Sequence, residues 1–436
     1  MQPGSIEQSV GITTYLTPYP GIHGTLRTIP EDFFVQELPT IPKPDEKGKH
    51  TIAWVQSTNW DTHLLVKKIS RHLEISSKRI GFAGTKDKRA VSTQLMSFYN
   101  ISKEQLTNLT IKDVTITPLH TTKKPINLGQ LQGNQFKIII RTIDPKNATP
   151  HISKYIEYFI KNPGFPNYFG IQRFGGIRPI THLVGKHIVH GEFEKAVMIY
   201  LAKNYPEESP DIAEKRQQLA KTYDFSEALK TFPIHLRFER ALLSALQQHP
   251  VNFQHALLAL PKNLLLMFIN AYQSYLFNKI LSKRLQNHLP LNQALPGDLI
   301  ISDKNTGKKN QYITTTTANI EKVNQQIQKN HAVVSGILLG HTPVYASGEM
   351  GEIEHNVIEE EHLDPRLFFI PEIPFLSSSG IRRGIYAPVN NLNTSLTQDA
   401  INTRKNALEL SFNLQKGCYA TSFLREWMKS TDVKNY

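Results

Sequence analysis

The sequence predicts an α/β (α+β) protein in which a discontinuous domain of mixed strands and helices is interrupted by a helical insertion. Three observations carry this. The first third alternates strand-like runs with helical stripes, the middle is dominated by helical periodicity, and the β pattern returns towards the end. The expected division is 1–180 with 376–436 for the discontinuous domain and 181–375 for the insertion.

In TLRTIPEDFFVQEL (25–38) strand-like alternation surrounds a Pro-Glu-Asp turn. WDTHLLVKKISRHLE (60–74) reads as a helix. Asp61 or Thr62 can cap it, Leu65, Ile69 and Leu73 recur on one face, and Lys67, Lys68 and Arg71 point outward. RIGFAG is a short apolar strand running into a loop, and VSTQLMSFY is a second strand-like run. Gly133-Asn134 turns into the strand QFKIIIRTI, and HISKYIEYFIKN (151–162) carries a helical stripe at 152, 155, 156, 159 and 160. Helical patterns then cover 191–203, 211–231, 236–248 and 263–287. The longest apolar stretch, Leu264 to Leu281, is interrupted by Asn270, Gln273, Ser274, Asn278 and Lys279, which makes it a buried amphipathic helix and not a membrane span. SDKNTGKKNQYITTTT (302–317) reads as a hairpin or loop with exposed edges. The acidic run 349–364 argues against phosphate binding there. GIRRGIYAPV and ALELSFNLQKG restore the β pattern, and YATSFLREWMK closes the chain as a helix.

The 436 residues have room for roughly two to three domains. Hydrophobic residues make up 39%, enough for a packed core. Lys and Arg exceed Asp and Glu by 50 to 37, a formal charge of +13, which favours a polyanionic partner such as nucleic acid. The single cysteine, Cys418, excludes a disulfide within the chain and a Cys-based metal site. It fits a reducing, cytoplasmic setting, and its place in a strand-to-helix turn suits small-residue packing. Seventeen histidines include no H-E-x-x-H, and no metal is expected. The first residues lack a basic run followed by an apolar one, so no signal peptide is expected.

The segment with the most chemistry is GFAGTKDKRAVSTQ (81–94). Two glycines shape a loop after a strand, and Asp87 sits among Lys86, Lys88 and Arg89, with Lys78 and Arg79 upstream. Such cations favour an ionised carboxylate and offer contacts to phosphates. A P-loop is excluded, because two residues rather than four separate the glycines and Asp follows the Lys. Taken alone, the segment also reads as a solvated surface turn.

The segment resembles the signature of the TruD family of tRNA pseudouridine synthases, Gly-x-Lys-Asp-x-x-Ala-Val-Thr-x-Gln, here Gly84 to Gln94 with Ser92 in place of Thr. Further blocks occur in the family's order: LRTIPEDFFVQE, GNQFKIIIR, Pro166-Asn167-Tyr168-Phe169-Gly170 onward to Gly175, AYQSYLFN, GIRRGI and GCYATSFLRE. The length and AYQSYLFN look like archaeal members. The resemblance implies a pseudouridine-synthase catalytic domain with a mixed, mainly antiparallel sheet flanked by helices, an inserted TRUD domain, and a basic cleft for tRNA. It implies isomerisation of uridine to pseudouridine, at position 13 of tRNA, with no cofactor.

By the same resemblance Asp87 is the catalytic carboxylate, acting as nucleophile or as base. Arg27 stands where the family usually has Lys and pairs with the Asp; Asn167 hydrogen-bonds it; Phe169 stacks on the flipped uracil. On composition alone Phe169 reads as core. Lys86, Lys88, Arg89, Arg173 and Arg382 are candidates for RNA contact, and Glu37, Gln94, Arg173 and Arg382 are candidates for loop support or phosphate contact. Two rivals stand beside this reading: an RNA-binding protein without catalysis, and an Asp-dependent glycosidic hydrolase. The hydrolase needs a second positioned carboxylate, for which only Glu37 offers itself.

Overall fold

The computed structural model describes residues 2–302 and 311–436. The strands are, in chain order, β1 (Phe33–Pro39), β2 (His50–Thr58), β3 (Ile80–Phe82), β4 (Val91–Tyr99), β5 (Val114–Thr122), β6 (Leu131–Ile143), β7 (Gly164–Pro166), β8 (Leu299–Ser302), β9 (Ile313–Thr314), β10 (Ala332–Leu338), β11 (Ile381–Gly384), β12 (Tyr386–Gln398) and β13 (Asn406–Gln415). Two compact units emerge. A sheet unit holds 19–165, 387–430 and 435–436, and a helical unit holds 2–18, 166–386 and 431–434.

The sheet unit is built on nine strands among the described residues, in the order β5-β2-β4-β1-β6-β13-β12-β7, with β3 also on β4. β1 runs parallel to β4, while β1–β6, β6–β13, β13–β12, β2–β4, β2–β5 and β3–β4 are antiparallel. Successive side chains of a strand point to opposite faces. Ala53, Val55, Met96 and Phe98 pack with Leu65, Val66 and Ile69 of the helix Thr62–His72, whereas Ile52 and Leu95 join a separate cluster with Ala83 and Ile126. The helix starts where its cap predicts, with Asp61 accepting from the N–H groups of His63 and Leu64. Helices Pro145–Lys161 and Ala420–Met428 meet through stacked Tyr155, Phe159 and Trp427, and Phe423 meets Phe412 of β13 edge-on. Cys418 is half-buried between β13 and the last helix.

The strand expected from residue 25 begins only at Phe33. A single 3-10 turn, Pro30–Asp32, precedes it, and Arg27 adopts a left-handed φ of 56° that no strand accepts.

In the helical unit the helix Lys262–Gln286 is buried around most of its circumference, so it is not amphipathic as expected. Its polar side chains meet internal partners instead of water. Asn278 Nδ2 donates to the carbonyls of Val10 and Phe169, both at 3.0 Å, Ser282 Oγ donates to Gly11 O at 2.8 Å, and Arg284 pairs with Asp298 at 2.6 Å. The helix expected over 211–231 breaks into Pro210–Thr222 and Phe225–Thr231 at Tyr223, whose φ is 52°. The sheet order here is β11-β10-β8-β9. The polar run 302–317 lies partly outside the described residues; beyond them, Ile313 and Thr314 pair with Ile300 and Leu299. The GIRRGIYAPV run divides between the two sheets, with β11 beside β10 and β12 beside β13.

The sequence reading put 2–18, 166–180 and 376–386 with the discontinuous domain; here they pack within the helical unit. Val10, Ile12, Tyr168, Phe169 and Phe174 share a core with Phe277 and Ile385. These are long-range contacts that no local pattern announces.

Candidate active site

The residues singled out in the sequence fall into two groups, one in each unit. Asp87 and its partners belong to the sheet unit. Residues 83–90 join β3 to β4. One edge of β4 is shared, by β1 along Val91–Thr93 and by β3 along Met96–Phe98. At the gap between them the N–H of Leu95 donates to Glu37 Oε2 at 2.9 Å. The other Glu37 oxygen lies 3.3 Å from Lys86 Nζ, and both side chains are buried. The N–H of Lys86 donates to Thr62 Oγ1 at 2.9 Å. The loop is therefore pinned at Lys86, one residue before Asp87.

Asp87 itself is reachable, with its side chain 49% exposed against 8% for its partner Arg27. Arg27 Nη2 meets Asp87 Oδ2 at 2.6 Å, and Asp87 Oδ1 has no partner among the described residues. The guanidinium of Arg27 sits 4.2 Å from the centroid of the Phe33 ring, and the Arg27 carbonyl accepts from Arg89 Nη2 at 2.9 Å. Burial pulls the Arg27 pKa below its ordinary value; the charge of Asp87 works against that and the charge of Arg89 adds to it. The left-handed backbone at Arg27 stores strain of about 1–2 kcal/mol, at the residue that aims the carboxylate. By contrast, of the two glycines expected to shape this turn only Gly81 is required, since a Cβ there would fall 2.3 Å from the Ile126 carbonyl oxygen. Gly84 is not left-handed, and a Cβ there would come no nearer than 3.7 Å to Lys86 Nζ.

The loop cations separate. Lys88 and Arg89 are exposed, as RNA contact requires. Lys86 is committed to Glu37 and is a loop anchor, which corrects its reading as an RNA contact. Glu37 is buried and occupied by Lys86 and Leu95, so it cannot act as the second carboxylate of a hydrolase. Gln94 is buried, and its Oε1 lacks a hydrogen-bond partner among the described residues.

Asn167, Phe169, Arg173 and Arg382 belong to the helical unit. The Asn167 N–H donates to Ile385 O at 2.8 Å and Nδ2 to Gly384 O at 2.9 Å, while Oδ1 accepts from Arg383 Nη2 at 2.7 Å. Phe169 is 5% exposed; its ring meets Phe277 edge-on at 5.5 Å, and its N–H donates to Asn278 Oδ1 at 2.9 Å. The Arg383 guanidinium lies 4.2 Å from the ring centroid and that of Arg173 5.6 Å. Phe169 thus has the packing of a core residue with a cation on its face. Arg382 is corrected as a phosphate contact. It is 4% exposed, with Nε on Ser335 Oγ, Nη1 on Val344 O, and Nη2 on Ser335 O and Glu354 Oε1.

Comparison with known proteins decides the family. A family model described as tRNA pseudouridine synthase D (TruD) matches residues 9–427. The chain belongs to the TruD family. A probable tRNA pseudouridine synthase D of Methanococcoides burtonii is 41% identical over 434 residues, covering 99% of this chain and 98% of that protein. One from Pyrococcus abyssi is 36% identical over 416 residues, covering 95% of this chain and 98% of its own. The crystal structure of a putative TruD from Methanosarcina mazei superposes with a TM-score of 0.89 at 37% identity, over 100% of both chains.

For a TruD chain, Arg383 is the residue that motif reading missed. The GIRRGI block puts two arginines side by side, and adjacent strand residues face opposite ways. Only the pairing of Arg382 with Ile337 and Arg383 with Gly336 decides which one meets Asn167 and Phe169. Thr62 was missed for a similar reason: it holds the Lys86 N–H from 24 positions upstream. No helix among the described residues is long and apolar enough to cross a membrane.

Proposed function

We propose that this TruD chain converts uridine to pseudouridine at position 13 of tRNA, with Asp87 as the reacting carboxylate. The observation that carries the reading is the Asp87–Arg27 pair. One carboxylate oxygen is fixed by a buried guanidinium, while the group as a whole stays open to a substrate. The isomerisation breaks the C1′–N1 bond and forms C1′–C5. Asp87 either attacks C1′ or takes the proton from C2′, and it is restored when C5 rejoins the sugar. Arg27 holds the carboxylate in place through the change. Asn167 and Phe169 are the helical unit's candidates in this reading, Phe169 as the platform for the extruded base. Lys88, Arg89 and Arg173 contribute to RNA contact. The sheet unit acts as the catalytic domain and the helical unit carries the TRUD insertion. With tRNA as substrate, the enzyme would work in the cytoplasm.

The test is to incubate the purified protein with tRNA transcripts and map pseudouridine. Modification at position 13 is expected, and modification only elsewhere overturns the position. Asp87→Asn should abolish it while tRNA affinity stays within a few-fold, because phosphate contacts supply most of the affinity. Turnover by Asp87→Asn above roughly a hundredth of the wild-type rate rejects Asp87 as the reacting group.

A further inference from the structure

The ring expected to receive the uracil already carries a planar group. The Arg383 guanidinium lies 4.2 Å from the Phe169 centroid and 5.7 Å from that of Phe277. Its Nη2 is held at 2.7 Å by Asn167 Oδ1. Asn167 is itself fixed through side chain and backbone, since Nδ2 donates to Gly384 O at 2.9 Å and the backbone N–H to Ile385 O at 2.8 Å. The β11–β10 register fixes the backbone of Arg383 opposite Gly336. A cation is thus aimed from its base, from its tip and by a ring beneath its plane. Structural support alone does not require this: the neighbouring Arg382 already ties β11 to Ser335 and Glu354.

The reaction gives such a cation something to act on. When C1′–N1 breaks, both bonding electrons leave with the uracil, which is anionic until C5 rejoins C1′. The proton later lost from C5 is matched by one gained at N1, so the net change is an isomerisation and no oxidant or reductant is needed. A preorganised cation at the site of developing charge stabilises it without reorientation during the step. A base arriving at Phe169 meets the guanidinium first. Whether the base stacks on the guanidinium or displaces it to the base's own edge, contact between the two is kept.

We propose that the Arg383 guanidinium contacts the extruded uracil and stabilises its negative charge after the glycosidic bond breaks, with Asn167 as the positioning residue that aims it. The proposal rests on Phe169 being the base platform. Asn167 then supports catalysis through Arg383.

The test measures single-turnover loss of the target nucleotide and tRNA affinity, using tRNA that carries either uridine or 5-fluorouridine. Arg383→Gln should slow the uridine reaction about 100-fold or more, the usual loss when one donor to a developing anion is removed, with affinity changed only a few-fold. With 5-fluorouridine the loss should be several-fold smaller, because fluorine already stabilises the detached base. Arg383→Lys should recover much of the rate, and Asn167→Ala should add little to Arg383→Gln. A wild-type rate for Arg383→Gln, or an equal loss with both nucleotides, overturns the proposal. If Arg383→Gln does not fold, the ratio of the two losses measured on Arg383→Met, which also lacks the charge, decides in the same way. Phe169→Ala at full rate would instead reject the base platform, and absence of pseudouridine with wild type would reject the proposed function.

Discussion

A carboxylate proposed to react must be reachable by substrate and yet held still, and at Asp87 these needs are divided between its two oxygens. Oδ2 is held by Arg27, and stillness is supplied from the neighbouring residue, since Lys86 is tied to Glu37 by its side chain and to Thr62 by its backbone. Lys86 therefore separates anchoring from RNA contact. Lys86→Met should leave Glu37 buried and uncompensated, costing about 3–5 kcal/mol of stability, and should lower turnover of the folded fraction. The salt dependence of tRNA binding should not change. Thermal melts together with affinity at several salt concentrations check this. An unchanged melting temperature with a shallower salt slope would return Lys86 to the phosphate contacts. The pairing of Asp87 with Arg27 was legible in the sequence because both lie in recognisable blocks. The burial of Lys86 was not, because a lysine in a basic run looks the same whether or not a glutamate waits 49 positions upstream.

At the scale of elements, the helix Lys262–Gln286 organises its unit through buried polar contacts. One hub joins it to two other helices: Glu361, just past the helix Gly348–Glu360, accepts from Lys186 Nζ at 2.8 Å, from Lys279 Nζ at 2.8 Å and from Tyr275 Oη at 2.9 Å. Burial pushes the Glu361 carboxyl up, but the hydrogen bonds from Lys186 and Lys279 outweigh it and hold the pKa at about 2, below the ordinary 4.5. A depressed folded-state value means stability that is present above pH 4.5 and lost as pH falls towards 2. Its ceiling is about 3 kcal/mol. The difference in unfolding free energy between wild type and Glu361→Gln should therefore be largest near neutral pH and should close as the solution is acidified through that window. Denaturant titrations at stepped pH measure it, and a gap independent of pH would remove the linkage. Two acids of the run 349–364 turn inward for this purpose, Glu354 and Glu361, which are buried in ion pairs with Arg382, Lys186 and Lys279, while Glu349, Glu352, Glu359 and Glu360 stay exposed.

For the whole molecule, the charge of +13 remains an argument about tRNA affinity. Lys67, Lys68 and Arg71 are exposed on the helix Thr62–His72, whose first turn holds the Lys86 N–H, and Lys88 and Arg89 are exposed on the loop itself. Affinity for tRNA should fall about ten-fold or more between about 50 and 200 mM salt, as release of counterions from several phosphates requires. Filter binding across that range is the measurement, and a flat profile would mean that these cations do not touch the backbone. The sequence by itself determined the family, the proposal of Asp87 with Arg27 as its partner, and most of the local elements. Each is written in contiguous residues: a signature loop, a helical stripe with its cap, an alternating strand. Only the tertiary structure decided that residues 2–18 pack with the helical unit, that Lys86 and Arg382 are buried anchors, and that Arg383 faces Asn167 and Phe169. Those outcomes depend on strand register and on partners scores of residues away, and a one-residue change of register would exchange the two arginines without altering any local pattern.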